Sequence, residues 1–307
     1  MRAVGLTTHG GPDVLEVLDL PEPHAGPGQV RIRVSAAAVN PTDTLQRSVR
    51  RQETDPPWVP GMDVAGVVDE AGDDVPLRVG DRVMAIVVPD GTHGGYAEHV
   101  VVPAGSAVPL PDGVDETAAA TLPMNALTAW LALDELAVPR GGTVAVTGAA
   151  GAFGGYAVQL AVARGLRVVA DAAERDTELV DGLGAHVVLP RGDGFAGSVR
   201  GAVPGGVDGL ADGSLQGDAL LPAVRDGGRI ATVRGHRGTA ERGITWHPVW
   251  VRTVAEDRET LLAIRDLASS GRLTPRVAAT WPAGDAAEAH RALEVGGQRG
   301  RGVLLFR

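Results

Sequence analysis

The sequence predicts an α/β chain in which a mainly β domain is joined to a domain built on a doubly wound parallel sheet. Three observations carry this reading. Short β-runs separated by Gly/Pro turns fill Met1 to about Pro111. Strands and helices alternate from about Asp115 onward, the pattern of βαβ units. A glycine cluster stands between one of those strands and the helix after it.

In the first stretch, Val30-Arg31-Ile32-Arg33-Val34 alternates apolar and polar residues, as a half-buried strand does. Val64 to Val68 and Arg82 to Val88 are more continuously apolar and read as interior strands. Gly26, Pro27, Gly28, Gly61, Gly72, Gly80, Asp81, Gly94 and Gly95 mark the turns. Asp115 is suited to cap a helix that begins with Glu116, where the helix dipole favours a negative charge. A second helix covers Ala126 to Leu136, closed by Pro139 and Gly141-Gly142. Thr143 to Thr147 is a buried-type strand, and a helix is expected over Gly155 to Arg164. The alternation continues with strand Leu166 to Ala170, helix Glu174 to Leu183, strand Ala185 to Leu189 and strand Gly228 to Val233. Helices over Asp257 to Ser269 and Ala286 to Val295, and a strand over Gly302 to Phe306, complete the series.

Between Thr147 and the next helix stands Gly148-Ala149-Ala150-Gly151-Ala152-Phe153-Gly154. Glycine permits a tight turn and lets backbone N–H groups approach a pyrophosphate, while the helix N-terminus adds partial positive charge. The spacing is GxxGxxG, and its position after a strand and before a helix favours dinucleotide binding. The end of the next strand bears on the choice of cofactor. Asp171 could accept hydrogen bonds from a ribose 2′-hydroxyl and would repel a 2′-phosphate, whereas Arg175 and Arg191 could pair with that phosphate. One residue of strand register decides whether the carboxylate faces the ribose, so the residues themselves leave NAD and NADP open.

Composition removes several classes of function. The 307 residues contain no cysteine, which rules out disulfides, thiolate catalysis, iron–sulfur clusters and cysteine zinc sites. Lysine is also missing, and with it a Schiff-base or Walker-type lysine. The net charge of −10 argues against nucleic acid as a partner. Arg47, Arg50 and Arg51 are read as a solvated surface. No apolar run reaches the roughly 18 residues of a spanning helix, and the N-terminus lacks a signal peptide's apolar core, so no membrane partner and a cytoplasmic location are expected. The eight histidines show no HxH or HExxH spacing, no metal site is expected, and no Gly-x-Ser-x-Gly elbow supports a serine hydrolase. Trp246 to Trp250 is read as core packing.

A set of short motifs then runs in order along the chain: Asn40-Pro41-Thr42-Asp43, Pro60-Gly61-Met62-Asp63, Gly80-Asp81-Arg82-Val83 and Gly94-Gly95-Tyr96-Ala97-Glu98. Val146-Thr147-Gly148, Gly206-Val207-Asp208, Gly227-Gly228-Arg229 and Arg301-Gly302-Val303 follow. Together they resemble the medium-chain dehydrogenase/reductase superfamily, in its zinc-free quinone oxidoreductase branch. The resemblance implies a GroES-like β-barrel catalytic domain (residues 1–116 and 253–307) and a Rossmann doubly wound domain (residues 117–252). It further implies a homodimer and a nicotinamide cofactor, with NADP(H) favoured and NAD(H) the alternative.

By the same resemblance, Asn40 and Thr128 are the catalytic candidates, beside the nicotinamide and its ribose or carboxamide. Gly148, Ala150, Gly151, Ala152, Phe153 and Gly154 would hold the pyrophosphate. Val233, Arg234 and Gly235 would border the nicotinamide side. Leu45, Trp58 and Met62 would suit an apolar substrate, although Trp58 could equally pack the barrel. Asp43 and Asp63 are read as anchors of the domain interface. In zinc-dependent relatives a Cys stands near the place of Asn40 and a His at that of Met62; neither residue here replaces such a ligand. Hydride addition to a quinone or an α,β-unsaturated carbonyl is therefore the expected reaction. Two alternatives are an enoyl reductase of polyketide-type metabolism and a non-catalytic nucleotide-binding redox sensor. The chain departs from its relatives at Leu45, where many carry Tyr, and at Asp171, where a small residue is common. Glu174, Arg175 and Pro190-Arg191 replace their usual 2′-phosphate set. No general acid is identified.

Overall fold

The computed structural model describes residues 1–49 and 54–306. The chain opens with β1 (Arg2–Gly5), β2 (Glu16–Asp19), β3 (Gln29–Val39), α1 (Pro41–Ser48), β4 (Asp63–Ala71), β5 (Arg82–Ile86), β6 (His99–Pro103) and β7 (Ala107–Pro109). Helices α2 (Glu116–Ala119) and α3 (Pro123–Leu136) lead to β8 (Thr143–Thr147), α4 (Ala152–Ala163), β9 (Arg167–Ala172) and α5 (Thr177–Gly182). Next come β10 (Val187–Pro190), α6 (Phe195–Ala202), β11 (Val207–Asp212), β12 (Val224–Thr232) and β13 (Thr245–Pro248). The chain continues with α7 (Arg258–Ser269), β14 (Val277–Pro282), α8 (Ala286–Val295) and β15 (Arg301–Leu305). It divides into two compact units, Met1–Met124 with Arg252–Gly271 and Pro275–Arg307, and Asn125–Val251 with Arg272–Thr274.

The first unit is organised around β3, which pairs antiparallel with β4, β6 and β15. Its sheet runs β14-β15-β3-β4-β5-β7, with β6 beside β3 off that path and β1-β2 as a separate pair. Burial along β3 alternates through Val30–Val34, as the sequence pattern predicts, and on to Ala36, and is then continuous to Val39. Register shifts near Ile32 and Ala36 accompany that change of face. Val30, Ile32, Val34, Val64, Val68, Val83, Val100 and Leu304 meet in one apolar core. The helix ends follow local chemistry. The Asp115 side chain accepts from Ala118 N at the start of α2, and Asp257 accepts from Thr260 N at the start of α7.

In the second unit all strands are parallel, in the order β10-β9-β8-β11-β12-β13. Counted within the unit this is 3-2-1-4-5-6, the doubly wound order that leaves a crevice where the order reverses, beyond the carboxyl ends of β8 and β11. Ala145, Val169, Phe195, Val199, Leu210, Leu220 and Ile230 form the core on one face. Asp208, within one of the quoted motifs, accepts from Thr143 N at 2.8 Å and from Arg225 Nε at 2.7 Å, so it fastens the start of β8.

Several elements differ from expectation. Helix α4 starts at Ala152 rather than Gly155, because Gly154 and Gly155 are buried by close packing instead of ending the turn. The helix expected over Glu174 to Leu183 begins as a 3-10 turn at Glu174–Asp176 before α5. The surface reading of Arg47 is corrected: it is 3% exposed and ion-paired with Glu294. Arg50 and Arg51 lie outside the described residues. Trp246 is half-buried in β13, but Trp250 is 50% exposed, so the core reading of that segment holds only in part.

Candidate active site

The glycine cluster occupies the crevice end of β8, and each glycine is placed by a different constraint. Gly148 has φ +68°, a conformation that side chains resist. Gly151 is the extended N-cap of α4. At Gly154 a Cβ would lie 2.3 Å from Gly148 O, so helix and turn approach more closely than any side chain permits. Along this turn an α-helical bond runs from Gly155 N to Gly151 O at 3.0 Å. Ala152 N and Phe153 N precede it and have no carbonyl partner within the helix. This cradle has the composition and geometry for an anionic diphosphate. Ala150 lies within the turn, and the Phe153 ring lies over Gly213 in the segment after β11, where a Cβ would meet it at 2.8 Å.

Two buried carboxylates flank the turn. Asp212, at the end of β11, accepts from Thr147 Oγ1 at 2.8 Å and from the backbone amides of Ser214, Gln216 and Gly217. Asp171, in β9, is 3% exposed, and its Oδ1 accepts from Ala149 N at 3.0 Å. Burial pushes the Asp171 carboxyl above its ordinary range, while the Ala149 amide and the Arg191 charge oppose that rise. Arg175 and Arg191 are both exposed, after β9 and β10 respectively. Val233, Arg234 and Gly235 follow β12; Arg234 and Gly235 take positive φ, and the Trp250 ring packs on Gly235. Thr128 is in α3 and 9% exposed.

The remaining candidates belong to the first unit. Asn40 is the N-cap of α1 and fully buried. Its Nδ2 donates to Asp63 Oδ2 at 2.7 Å, and its backbone N donates to Asp43 Oδ2 at 2.8 Å, one arm of a capping box. Asp63 Oδ1 also accepts from Met124 N at 2.6 Å. Asp43 accepts from Gly61 N at 3.3 Å and from the Tyr96 hydroxyl at 3.2 Å. Tyr96 Oη lies 3.2 Å from His290 Nε2. These bonds of Asp43 and Asp63 knit the surroundings of Asn40 within the first unit.

Burial raises both Asp43 and Asp63 to about 7, against hydrogen bonds from their backbone partners and the attraction of Arg301. Burial also lowers His290 to about 3, with the Arg47 charge acting in the same direction, so it is neutral. Leu45 is half-buried on α1 and Met62 is 2% exposed. Trp58 stacks on His9 with centroids 4.5 Å apart and donates from Nε1 to Thr54 O, an arrangement of barrel packing. Sequence reasoning missed Tyr96 and His290 as members of this cluster. Tyr96 stood within a quoted motif, but a lone histidine on a helix gives no signal.

The donors around Asn40 do not suit zinc. The Asn40 amide nitrogen is committed to Asp63, and Met62 offers only a buried thioether. Among the described residues no group of three or more His, Asp or Glu side chains could hold a metal ion. Likewise, no described helix is long and apolar enough to cross a membrane.

Comparison with known proteins bears on both units. Residues 26–112 match the alcohol dehydrogenase GroES-like domain family, and residues 183–304 match the zinc-binding dehydrogenase family. The chain is 32% identical to human quinone oxidoreductase, over 100% of this chain and 98% of that protein. The structure of an NAD-dependent alcohol dehydrogenase superposes with a TM-score of 0.89 at 32% identity, covering 100% of both chains. A mycobacterial protein complexed with NADPH superposes with a TM-score of 0.86 at 30% identity, again over 100% of both.

Proposed function

Because this chain belongs to the medium-chain dehydrogenase/reductase superfamily, in its zinc-free quinone oxidoreductase branch, we propose that it reduces a quinone or an α,β-unsaturated carbonyl at the expense of NADPH, without zinc. The single observation that carries this reading is the glycine turn at the crevice of a 3-2-1-4-5-6 sheet, with a helix N-terminus behind it. Ala152 N and Phe153 N would hold the diphosphate, and Gly148 and Gly154 allow it to approach the backbone. A reduced nicotinamide dinucleotide bound there supplies a hydride equivalent. Asn40 and Thr128 are assigned to its nicotinamide end by resemblance. Asp63 holds the Asn40 amide in one orientation, so this side chain is set before any ligand arrives. With no zinc ligands to polarise an alcohol oxygen, an acceptor that is already electrophilic suits these residues. Leu45 and Met62 offer it apolar contact.

Exposed Arg175 and Arg191 favour NADPH, since a guanidinium can pair with the 2′-phosphate in bidentate fashion. The same reading takes the protein as a cytoplasmic homodimer. The test titrates NADPH and NADH side by side and follows their oxidation with 9,10-phenanthrenequinone and with an enone, in the presence of a chelator. Turnover that persists with chelator, and NADPH affinity that falls about fivefold or more in Arg175→Ala with NADH unaffected, is expected. Tight cofactor binding without turnover of any acceptor would overturn the reductase reading in favour of a nucleotide sensor.

A further inference from the structure

We propose that Asp171 is a positioning residue that clamps the glycine turn for either dinucleotide, and not a ribose ligand that selects NADH. The inference rests on the cofactor reading above. A carboxylate near the end of β9 stands where a 2′-hydroxyl partner is expected, and there it would repel a 2′-phosphate. In the structure Asp171 lies opposite Leu189 of β10, and its side chain reaches the turn after β8 instead. It is 3% exposed, and Oδ1 takes the amide hydrogen of Ala149, the residue after left-handed Gly148.

That amide lies beyond the last β8–β9 pair, Val146 with Ala170, so the sheet does not satisfy it and a side chain from the neighbouring strand does. Asp212 performs the matching task from β11, through Thr147 Oγ1 and Ser214 N. Asp171 thus fastens the diphosphate turn itself, while Asp212 fastens the end of β8 just before it to the loop after β11. Because Asp171 is spent on the turn, discrimination between the two dinucleotides falls to the exposed cations, Arg175 and Arg191. Arg191 also faces Asp171 electrostatically, as does Asp212 with opposite effect.

The experiment compares Asp171→Ala with Asp171→Asn in the full chain. Dissociation constants for NADPH and NADH, steady-state constants with 9,10-phenanthrenequinone, and amide exchange at Ala149 in the cofactor-free protein are measured. A hydrogen bond to a charged acceptor is worth about tenfold or more. Asp171→Ala should therefore weaken both cofactors by about tenfold or more, in KM rather than kcat, with their ratio held within about threefold. Asparagine keeps an acceptor at Oδ1 and should restore most of the affinity for both. Ala149 exchange should quicken in the alanine variant and return toward wild type in the asparagine variant.

A shift of the NADPH:NADH ratio by tenfold or more toward NADPH in either variant would overturn the proposal, because that is how a ribose ligand behaves. Unchanged Ala149 exchange in Asp171→Ala would also overturn it. If the alanine variant fails to fold, the ratio in Asp171→Asn decides alone. Wild-type protein that binds neither dinucleotide defeats the functional reading, while the Ala149 exchange still reports on the clamp.

Discussion

The closest backbone approach around the glycine turn can be tested by giving one helical glycine a methyl group and comparing it with another. At Gly154 the new Cβ would stand 2.3 Å from Gly148 O, 2.6 Å from Gly148 C and 2.8 Å from Ala149 Cα. Ordinary contact begins near 3.4 Å, so helix and turn must separate by roughly 1 Å, and every obstructing atom is backbone. Overpacking of this kind costs about 1–3 kcal/mol, against a helix-propensity gain of at most about 1 kcal/mol. Gly154→Ala should therefore destabilise by about 1–2 kcal/mol.

Gly197, exposed within α6, supplies the control, because an added Cβ there meets nothing within 4 Å. The same substitution at Gly197 should stabilise by about 0.5–1 kcal/mol. Urea unfolding, with a check that the slope is unchanged, reads both signs. Dinucleotide titration should show about a tenfold loss for Gly154→Ala, the equivalent of about 1.4 kcal/mol, and no loss for Gly197→Ala. If Gly154→Ala proves as stable as Gly197→Ala and binds cofactor equally well, the account of the turn is refuted.

Asp63→Ala removes the acceptor of both Asn40 Nδ2 and Met124 N inside a buried site, and should destabilise by about 2–4 kcal/mol in urea unfolding. Tyr96→Phe takes away the hydroxyl that lies between Asp43 and His290 and should cost about 1–2 kcal/mol, measured the same way. Titration gives a signed prediction: Asp43 and Asp63 are raised from 3.8 to about 7, so the folded state holds protons that the unfolded state has released. Their contribution to stability falls as pH rises through about 4 to about 7. His290, lowered from 6.5 to about 3, acts in the opposite direction, its contribution being lost as pH falls through that window. Comparing Asp63→Asn with wild type from pH 4.5 to 8 isolates the carboxylate, and the variant should lose less stability on going to high pH. An identical pH slope in the two proteins would contradict the burial argument.

The second unit was largely legible in its sequence because its signals are local. Thr143 to Thr147 is apolar and β-branched, Gly148 requires positive φ, and α4 follows at once. Strand β11 escaped notice because Gly209 and the two aspartates at 208 and 212 dilute its apolar character; the structure shows those carboxylates fastening β8 and the loop after β11. In the first unit, α1 was hidden by its length and by charges that turn inward. Asp43 and Arg47 are both buried there, with partners on Tyr96 and Glu294, which are far away in sequence. The role of Asp171 depended on strand register, which alternation alone cannot supply.

The placement of β15 bears on how the polypeptide matures during translation. It lies between β14 and β3, pairing Leu304 with both Trp281 and Ala37. Until the ribosome has extruded Arg301–Leu305, the Ala36–Val39 half of one β3 flank has no native mate, although β6 emerges early enough to pair with Gln29–Arg33 and β4 to cover the other flank. The intervening residues 125–251 can meanwhile condense independently around their own parallel strands. The nascent first unit thus carries a bare strand edge through most of its synthesis, a window in which chaperones or aggregation compete for it.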